Sequence, residues 1–160
     1  MTMPFRSILV PSDLSPTGDR AVALAYAIAA PDATVHLLHL WEPAYVLSPL
    51  DATPVMPLPW SAEQDAAHEK KLHARLRALV PDATTSRGIR TELHVMQSGA
   101  PGETIRAEAK RLHADAIVMG THGRAGLARA LMGSVATNVL KHADVPVILV
   151  KDPAVEAKKS

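Results

Sequence analysis

The chain has 160 residues, 48% of them hydrophobic, which favours one domain with a sizeable core. Its 17 basic and 16 acidic side chains leave a net charge of +1, so composition gives no support to a nucleic-acid-binding surface. The absence of cysteine excludes disulfides and thiolate metal sites. No apolar run approaches the ~18 residues of a membrane span, and the N-terminus lacks the apolar core of a signal peptide. We therefore predict a soluble, cytoplasmic protein that binds neither nucleic acid nor membrane.

The chain begins with the pattern of a buried strand followed by a helix. Apolar residues predict a strand from about Phe5 to Val10, and Pro11 suits its end because proline cannot donate to a β-ladder. Ser15 and the proline after it are typical of a helix start. Apolar residues with helical spacing continue this helix until Pro31 ends it.

Asp13 lies just beyond the carboxyl end of the predicted first strand. In open parallel sheets, ligands bind outside these ends, where the strand order reverses. A carboxylate at this point can accept a hydrogen bond from a ribose hydroxyl or help to hold a metal ion. The alternative is that Asp13 or Ser15 only caps the following helix.

The second predicted strand, Thr34 to Leu40, carries two histidines, His36 and His39. An odd separation along a strand points side chains to opposite faces, so we predict that these two histidines share no metal ion. His68 and His73 lie in a later helix, five residues and therefore about 140° apart. The spacing of neither pair predicts a metal site.

The stretch from Trp41 to Trp60 differs from the rest of the chain, with five prolines and three of the five aromatic residues. So many prolines exclude a helix. An apolar loop of this length is either packed against something or functional. It is a lid over a ligand or a partner surface on one interpretation, and a cover for the adjoining helix or a dimer mate on the other.

The remaining pattern alternates helices with strands. It predicts a helix from Ser61 to about Val80, a strand from Arg90 to Gln97 near a sheet edge, a helix ending near His113, a strand from Ala116, a helix from Ser134 to about His142 and a strand from Asp144 to Val150. Five strands and four helices with right-handed crossovers give an α/β fold, a Rossmann-like parallel sheet of order 3-2-1-4-5 covered by helices on both faces. This order brings Asp13 beside Gly120. We expect one domain over residues 1–152 and a flexible tail over 153–160.

A glycine-bearing loop joins the fourth strand to the last helix. The apolar run ends at Gly120, and Gly123, Gly133 and Ser134 follow. Glycines let backbone N–H groups approach phosphate oxygens, and Ser134 stands where a helix exposes unpaired donors. The Ser134 hydroxyl can cap this helix or bond a phosphate. The same loop supplies cationic groups from His122, Arg124 and Arg129. Spacing alone leaves phosphate binding and an ordinary long connection equally open.

The pattern Gly-x2-Gly-x9-Gly-Ser, met at Gly120, Gly123, Gly133 and Ser134, resembles the nucleotide-binding signature of the universal stress protein family. The order of elements also resembles that family from about Phe5 to Lys151. The resemblance implies an ATP-binding regulator of the stress response, with a divalent ion such as magnesium bridging the phosphates. Together with the cationic groups of the loop, the resemblance gives these expected nucleotide-binding residues: Pro11, Ser12, Asp13, Leu40, Met119, Gly120, His122, Gly123, Arg124, Arg129, Gly133, Ser134 and Val135.

Other functions stay open at this point. A slow ATPase, a transferase or a nucleotide-independent dimerisation module could use the same fold, although the sequence shows no strong catalytic constellation. A phosphoacceptor receiver domain is disfavoured, because Gln97 and Ser98 stand where it needs an aspartate.

The last strand suggests how the chain assembles. Val145 to Val150 is apolar and predicted at a sheet edge, so two copies can cover each other across a two-fold axis. Homodimers of this kind are also implied by the family resemblance. In the competing interpretation, the Trp41–Trp60 loop covers the edge and leaves a monomer.

Overall fold

A computed structural model describes residues 5–42, 46–47, 50, 54–55, 61–121 and 132–151 of the chain. In this part of the chain the strands are β1 (Phe5–Pro11), β2 (Ala29–Trp41), β3 (Val46–Leu47), β4 (Pro54–Val55), β5 (Arg90–Gln97), β6 (Ala116–Gly120) and β7 (Val147–Val150). The helices are α1 (Pro16–Ile28), α2 (Ala62–Arg77), α3 (Pro101–Arg111) and α4 (Ser134–His142), with a 3-10 helix at Asp82–Arg87.

The main sheet is parallel and has the order β5-β2-β1-β6-β7. Counted along the chain, this is the order 3-2-1-4-5 that the sequence predicts. The sheet separates two apolar cores. Residues of α1 pack with Ile8, Val10 and Leu37 on one face, and residues of α3 and α4 pack with Leu9 and Leu38 on the other. Adjacent strand residues thus serve opposite faces, as the strand period of two requires.

The boundary between α1 and β2 lies earlier than the predicted one at Pro31. The helix ends at Ile28, and β2 begins at Ala29, which pairs with Phe5 of β1. A residue before proline is disfavoured in the helical region, so the helix ends before Pro31 rather than at it. The register then shifts, and Ser7 pairs with Thr34.

Two other boundaries differ from prediction. The helix α2 begins after Ser61, whose side chain forms a capping box with Gln64, but it ends at Arg77 instead of Val80. The strand β7 begins at Val147, after Pro146, rather than at Asp144. Proline cannot donate to a ladder, which fits a start after Pro146 and the position of β7 at the sheet edge.

The proline-rich stretch contains a feature that the sequence did not predict. The two-residue strands β3 and β4 pair antiparallel, Val46 with Val55 and Leu47 with Pro54. Strands of two residues are too short to show an alternating pattern, so periodicity could not find them. Most of this stretch, like the predicted tail over 153–160, lies outside the described residues. No helix in the described ranges is long and apolar enough to cross a membrane.

Candidate functional site

The carboxyl ends of β1 and β6 lie side by side at the point where the strand order reverses. The two strands pair through Ile8 with Ala116 and Leu9 with Ile117, in parallel. From this register, β1 runs on to Pro11 and β6 to Gly120. The prediction that these two strands are neighbours in the sheet is therefore confirmed. It is the position where open α/β sheets bind ligands.

The turn after β1 is held by a compact set of hydrogen bonds. The Asp13 Oδ1 atom accepts from Ser15 N–H at 3.2 Å and from the Ser15 hydroxyl at 2.5 Å. The Ser15 Oγ atom in turn accepts from Gly18 N–H at 3.2 Å, so Ser15 caps α1. Ser12 Oγ accepts from Leu14 N–H at 3.1 Å. Asp13 therefore does not cap the helix directly, and its carboxylate is fixed against the residue that does.

The buried side chain of His39 contacts the same turn. The Nδ1 atom of His39 lies 2.8 Å from the backbone oxygen of Ser12, and His39 is only 6% exposed. The Ser12 N–H group also donates to the Leu38 carbonyl at 2.9 Å, which extends the β1–β2 ladder past the end of β1. These contacts anchor the backbone on which Asp13 stands.

Leu40 and Met119 lie on one face of the sheet. Both pack in the core formed with α3 and α4; Met119 is buried and Leu40 half-buried. Val135, near the start of α4, packs against the same core. The structure thus places these three predicted residues on the α3–α4 side, near the carboxyl ends of β2 and β6 and the start of α4.

The start of α4 lies close to the end of β6. Gly133 N–H donates to the Thr121 carbonyl at 2.8 Å, and Thr121 N–H donates to the Val150 carbonyl at 2.9 Å. Gly133 is the N-cap residue, and among the described residues no side chain caps the helix. Of the two roles that the sequence leaves open for Ser134, the helix cap is excluded, because Ser134 is the first helical residue, one position after the cap, and it is exposed. Its hydroxyl stays a candidate for a phosphate contact.

Four of the predicted nucleotide-binding residues lie outside the described residues. They are His122, Gly123, Arg124 and Arg129. The structure describes the two ends of their loop, Thr121 and Gly133, which are hydrogen-bonded to each other.

A second polar cluster, which sequence analysis missed, lies across β2 and β5. His36 pairs in register with Glu92, and His94 is two residues further along β5 on the same face. His36 Nδ1 lies 3.2 Å from Glu92 Oε2 and 3.3 Å from His94 Nε2, and His94 Nε2 lies 3.7 Å from Glu92 Oε2. The alternation of Glu92 and His94 was visible in the sequence, but pairing them with His36 requires the register of two strands.

The charges around this cluster come mainly from α3. Burial lowers the pKa of His36 and of His94 below the ordinary value of 6.5, although the Glu92 carboxylate opposes this shift. Glu108 accepts from Arg111 Nη2 at 2.7 Å and from Arg111 Nε at 3.0 Å, and these bonds lower the pKa of the Glu108 carboxyl. Arg111 also lowers the pKa of both histidines, whereas Glu108 raises that of His94.

Comparison with known proteins gives one consistent family. The model of the universal stress protein family matches residues 4–151. Universal stress protein MJ0531 of Methanocaldococcus jannaschii is 32% identical over 154 residues, which cover 95% of this chain and 85% of that protein. Universal stress protein G of Shigella flexneri is 29% identical over 92% of this chain and 99% of its own length.

Solved structures share the fold. The structure of protein MJ0577 of Methanocaldococcus jannaschii superposes with a TM-score of 0.67 at 24% identity, covering 94% of this chain and 98% of that one. A universal stress protein in complex with cAMP gives 0.59 at 23% identity, covering 93% and 98%. The Archaeoglobus fulgidus protein in complex with dAMP gives 0.57 at 23% identity, covering 93% and 100%.

Proposed function

Because the chain belongs to the universal stress protein family, we propose that this stress-response protein binds ATP at the carboxyl ends of β1 and β6. One observation carries the proposal. The glycine signature begins at Gly120, where β6 ends, and its last two residues, Gly133 and Ser134, are the N-cap and the first residue of α4. A helix start that no described side chain caps offers N–H donors and the positive end of the helix dipole to phosphate oxygens.

The remaining residues have separate roles in this proposal. The glycines, Ser134 and Val135 surround the ribose and phosphates, largely through backbone groups. Pro11, Ser12, Asp13, Leu40 and Met119 line the adenosine side. Asp13 is suited to a ribose hydroxyl because hydrogen bonds to Ser15 already fix its carboxylate. His122, Arg124 and Arg129 add positive charge for the phosphates.

Adenine nucleotides are the ligand class that related structures support. One related universal stress protein is described in complex with cAMP and another in complex with dAMP. A magnesium ion would be held mainly by phosphate oxygens, since Mg²⁺ usually takes only one or two carboxylates from the protein. Asp13 is the described carboxylate nearest the end of β1, and one of its oxygens already accepts from Ser15.

The test of this function combines retained ligand with titration. Mass spectrometry of small molecules released from freshly purified protein should detect ATP. In calorimetry, Gly123→Val should weaken ATP binding more than tenfold, about 1.4 kcal/mol, because a side chain prevents close approach of the backbone. Ala107→Val, at an exposed position of α3, is the matched control and should leave binding unchanged. Unchanged affinity in folded Gly123→Val would remove the loop from the binding site.

We also propose that two copies pair through the last strand. The strand β7 lies at the sheet edge, and all four of its residues are half-buried in the single chain. Leu140 on the preceding helix is 46% exposed. Pairing of two such edges would remove apolar surface from water and cover unpaired backbone groups.

Sedimentation equilibrium at micromolar concentration tests this assembly. The wild-type chain should sediment as a dimer, and Val147→Lys or Ile148→Lys should shift it to monomer. Because both side chains also pack in the core, circular dichroism must first show that the variants are folded. Gln97→Lys, exposed on the opposite edge strand, is the control. A monomeric wild type would contradict pairing.

A further inference from the structure

The cluster of His36, Glu92 and His94 has the composition and shape of a transition-metal site. We propose that these three side chains bind one zinc ion, with His36 Nδ1, His94 Nε2 and a Glu92 carboxylate oxygen as ligands. The three atoms lie within 4.8 Å of one another, on neighbouring strands of the sheet. This site is separate from the proposed nucleotide site and does not depend on it.

The distances between the ligand atoms fit zinc closely. Zinc bonds nitrogen and oxygen ligands at about 2.0–2.1 Å, so tetrahedral coordination separates the ligand atoms by about 3.3–3.4 Å. The observed separations are 3.2, 3.3 and 3.7 Å. These distances form one face of the coordination tetrahedron, and an ion would need little movement of the protein to bind.

Chemistry of the donor set points to the same class of metal. Imidazole nitrogen suits zinc and its first-row neighbours, whereas magnesium and calcium prefer oxygen ligands only. Three protein ligands leave a fourth position for water or another small ligand, which is the arrangement of exchangeable and catalytic zinc sites rather than of closed structural ones.

Burial is graded across the three ligands. The side chains of His36 and His94 are 7% and 18% exposed, while that of Glu92 is 54% exposed. The histidines are therefore held by the surrounding sheet, and the carboxylate marks the side from which an ion and its water enter.

The charges near the site permit a cation. Glu92 carries one negative charge among the ligands. The Arg111 guanidinium would repel the ion. It donates hydrogen bonds to the buried Glu108 carboxylate, however, and the negative charge of Glu108 opposes that of Arg111. His73 is a further group whose charge reaches His94. The carboxylates of Glu92 and Glu108 outnumber the single guanidinium of Arg111, so these charged groups are net negative.

A purely hydrogen-bonded cluster accounts for the geometry less completely. A neutral imidazole has one N–H group, so His36 Nδ1 can donate to Glu92 or to His94, or else must accept. The contact between His94 and Glu92, at 3.7 Å, is too long for a hydrogen bond. A metal ion uses lone pairs of all three atoms at once and joins the edge strand β5 to β2.

The test uses zinc alone with the nucleotide-free, untagged full chain at about pH 7.5, because metal binding competes with protons for the ligand atoms. Calorimetry should give one zinc ion per chain. His94→Gln and Glu92→Gln should each weaken zinc binding at least tenfold, since each removes one of three ligands. His142→Gln and Glu69→Gln, which remove an exposed histidine and an exposed carboxylate elsewhere, should bind zinc as the wild type does.

Cobalt supplies a second readout that does not depend on the variants. Co²⁺ bound to the wild-type chain should show the strong visible absorption of four-coordinate cobalt, and added zinc should remove it. The proposal is overturned if the wild type binds no zinc saturably, if both ligand variants bind zinc unchanged, or if bound cobalt gives only the weak spectrum of an octahedral ion.

Discussion

Two polar regions of the molecule are built from different groups. One lies at the carboxyl ends of β1 and β6, and the other is the His36–Glu92–His94 cluster. The first region presents mainly backbone groups from turns and a helix start, and its signature is a run of glycines along the chain. The second presents three side chains from two strands whose partners are 56 or more residues apart in sequence. A motif along the sequence can predict the first kind of site, whereas the second kind depends on the register between two strands.

The difference also concerns what holds each region in place. The turn after β1 combines local hydrogen bonds between residues two or three positions apart with the contacts that His39 and Leu38 make to Ser12. The β2–β5 cluster depends on eight registered pairs between the strands. We therefore expect changes in the turn to affect nucleotide binding without affecting zinc, and changes beside the cluster to leave nucleotide binding unaffected.

The largest effect is expected at Gly18. A Cβ atom there would lie 2.8 Å from Ser12 Oγ and 2.9 Å from Asp13 Oδ1, closer than side-chain atoms tolerate. Gly18→Val should therefore cost about 1–3 kcal/mol of unfolding free energy and weaken ATP binding by displacing Asp13. Denaturant unfolding and calorimetry measure the two losses.

Gly99→Val provides the control for Gly18→Val. Nothing lies within 4 Å of a Cβ atom at Gly99, so this change should leave stability nearly unchanged. Zinc binding by folded Gly18→Val should equal that of the wild type. Equal stability of the two glycine variants would show that the turn does not constrain Asp13.

A smaller effect is expected from the arginines of the signature loop. Arg124→Ala and Arg129→Ala should each weaken ATP binding about two- to fivefold, the usual contribution of a solvent-exposed ion pair. Adenosine binding should stay unchanged, because adenosine has no phosphate. Arg75→Ala, exposed on α2, serves as the control. Equal losses for ATP and adenosine would argue against phosphate contacts.

The smallest effect is expected beside the His36–Glu92–His94 cluster, at Glu108. Hydrogen bonds from Arg111 lower the pKa of Glu108 in the folded chain, so this carboxylate stabilises the fold above its unfolded pKa of about 4.5. That contribution is lost as the pH falls through the folded pKa. The stability difference between wild type and Glu108→Gln should therefore shrink below about pH 4.5, in metal-free protein.

Glu69→Gln, which makes the same change at an exposed position of α2, is the matched control. His36, His94 and Arg111 are the charged or titratable groups that act on Glu108. A stability difference that stays constant from neutral pH into acid would mean that the carboxylate contributes no charge-dependent stability.

Several elements were predictable because their signals are local. Ser15 and Pro16 begin α1 as predicted, β5 spans Arg90–Gln97, and α4 spans Ser134–His142. Strand order followed from alternation of helices and strands together with the handedness of crossovers. The boundaries at Ile28, Arg77 and Val147 lie about three residues from the predicted ones, because Pro31 and Pro146 limit where the first and last can lie but hydrogen bonding at each end decides the terminal residue.

The candidate nucleotide site was predictable in part. The positions of Pro11, Asp13 and Gly120 at neighbouring strand ends follow from strand order, but the cap at Gly133 instead of Ser134 needed backbone geometry. Predictions for His122, Gly123, Arg124 and Arg129 stay predictions, as do the cytoplasmic location and the single domain over residues 1–152. None of these rests on a contact that the described residues show.

The sequence by itself determined the α/β class and the glycine signature, because hydrophobic periodicity and turn residues act over a few neighbouring positions. The order of the sheet then followed from the handedness of crossovers. Only the tertiary structure decided that His36 meets Glu92 and His94, that His39 supports the turn at Ser12, and that Asp13 is fixed by the helix cap. These contacts depend on register between strands distant in sequence. A shift of one residue would turn every side chain of a strand to the other face, and no local pattern reports it.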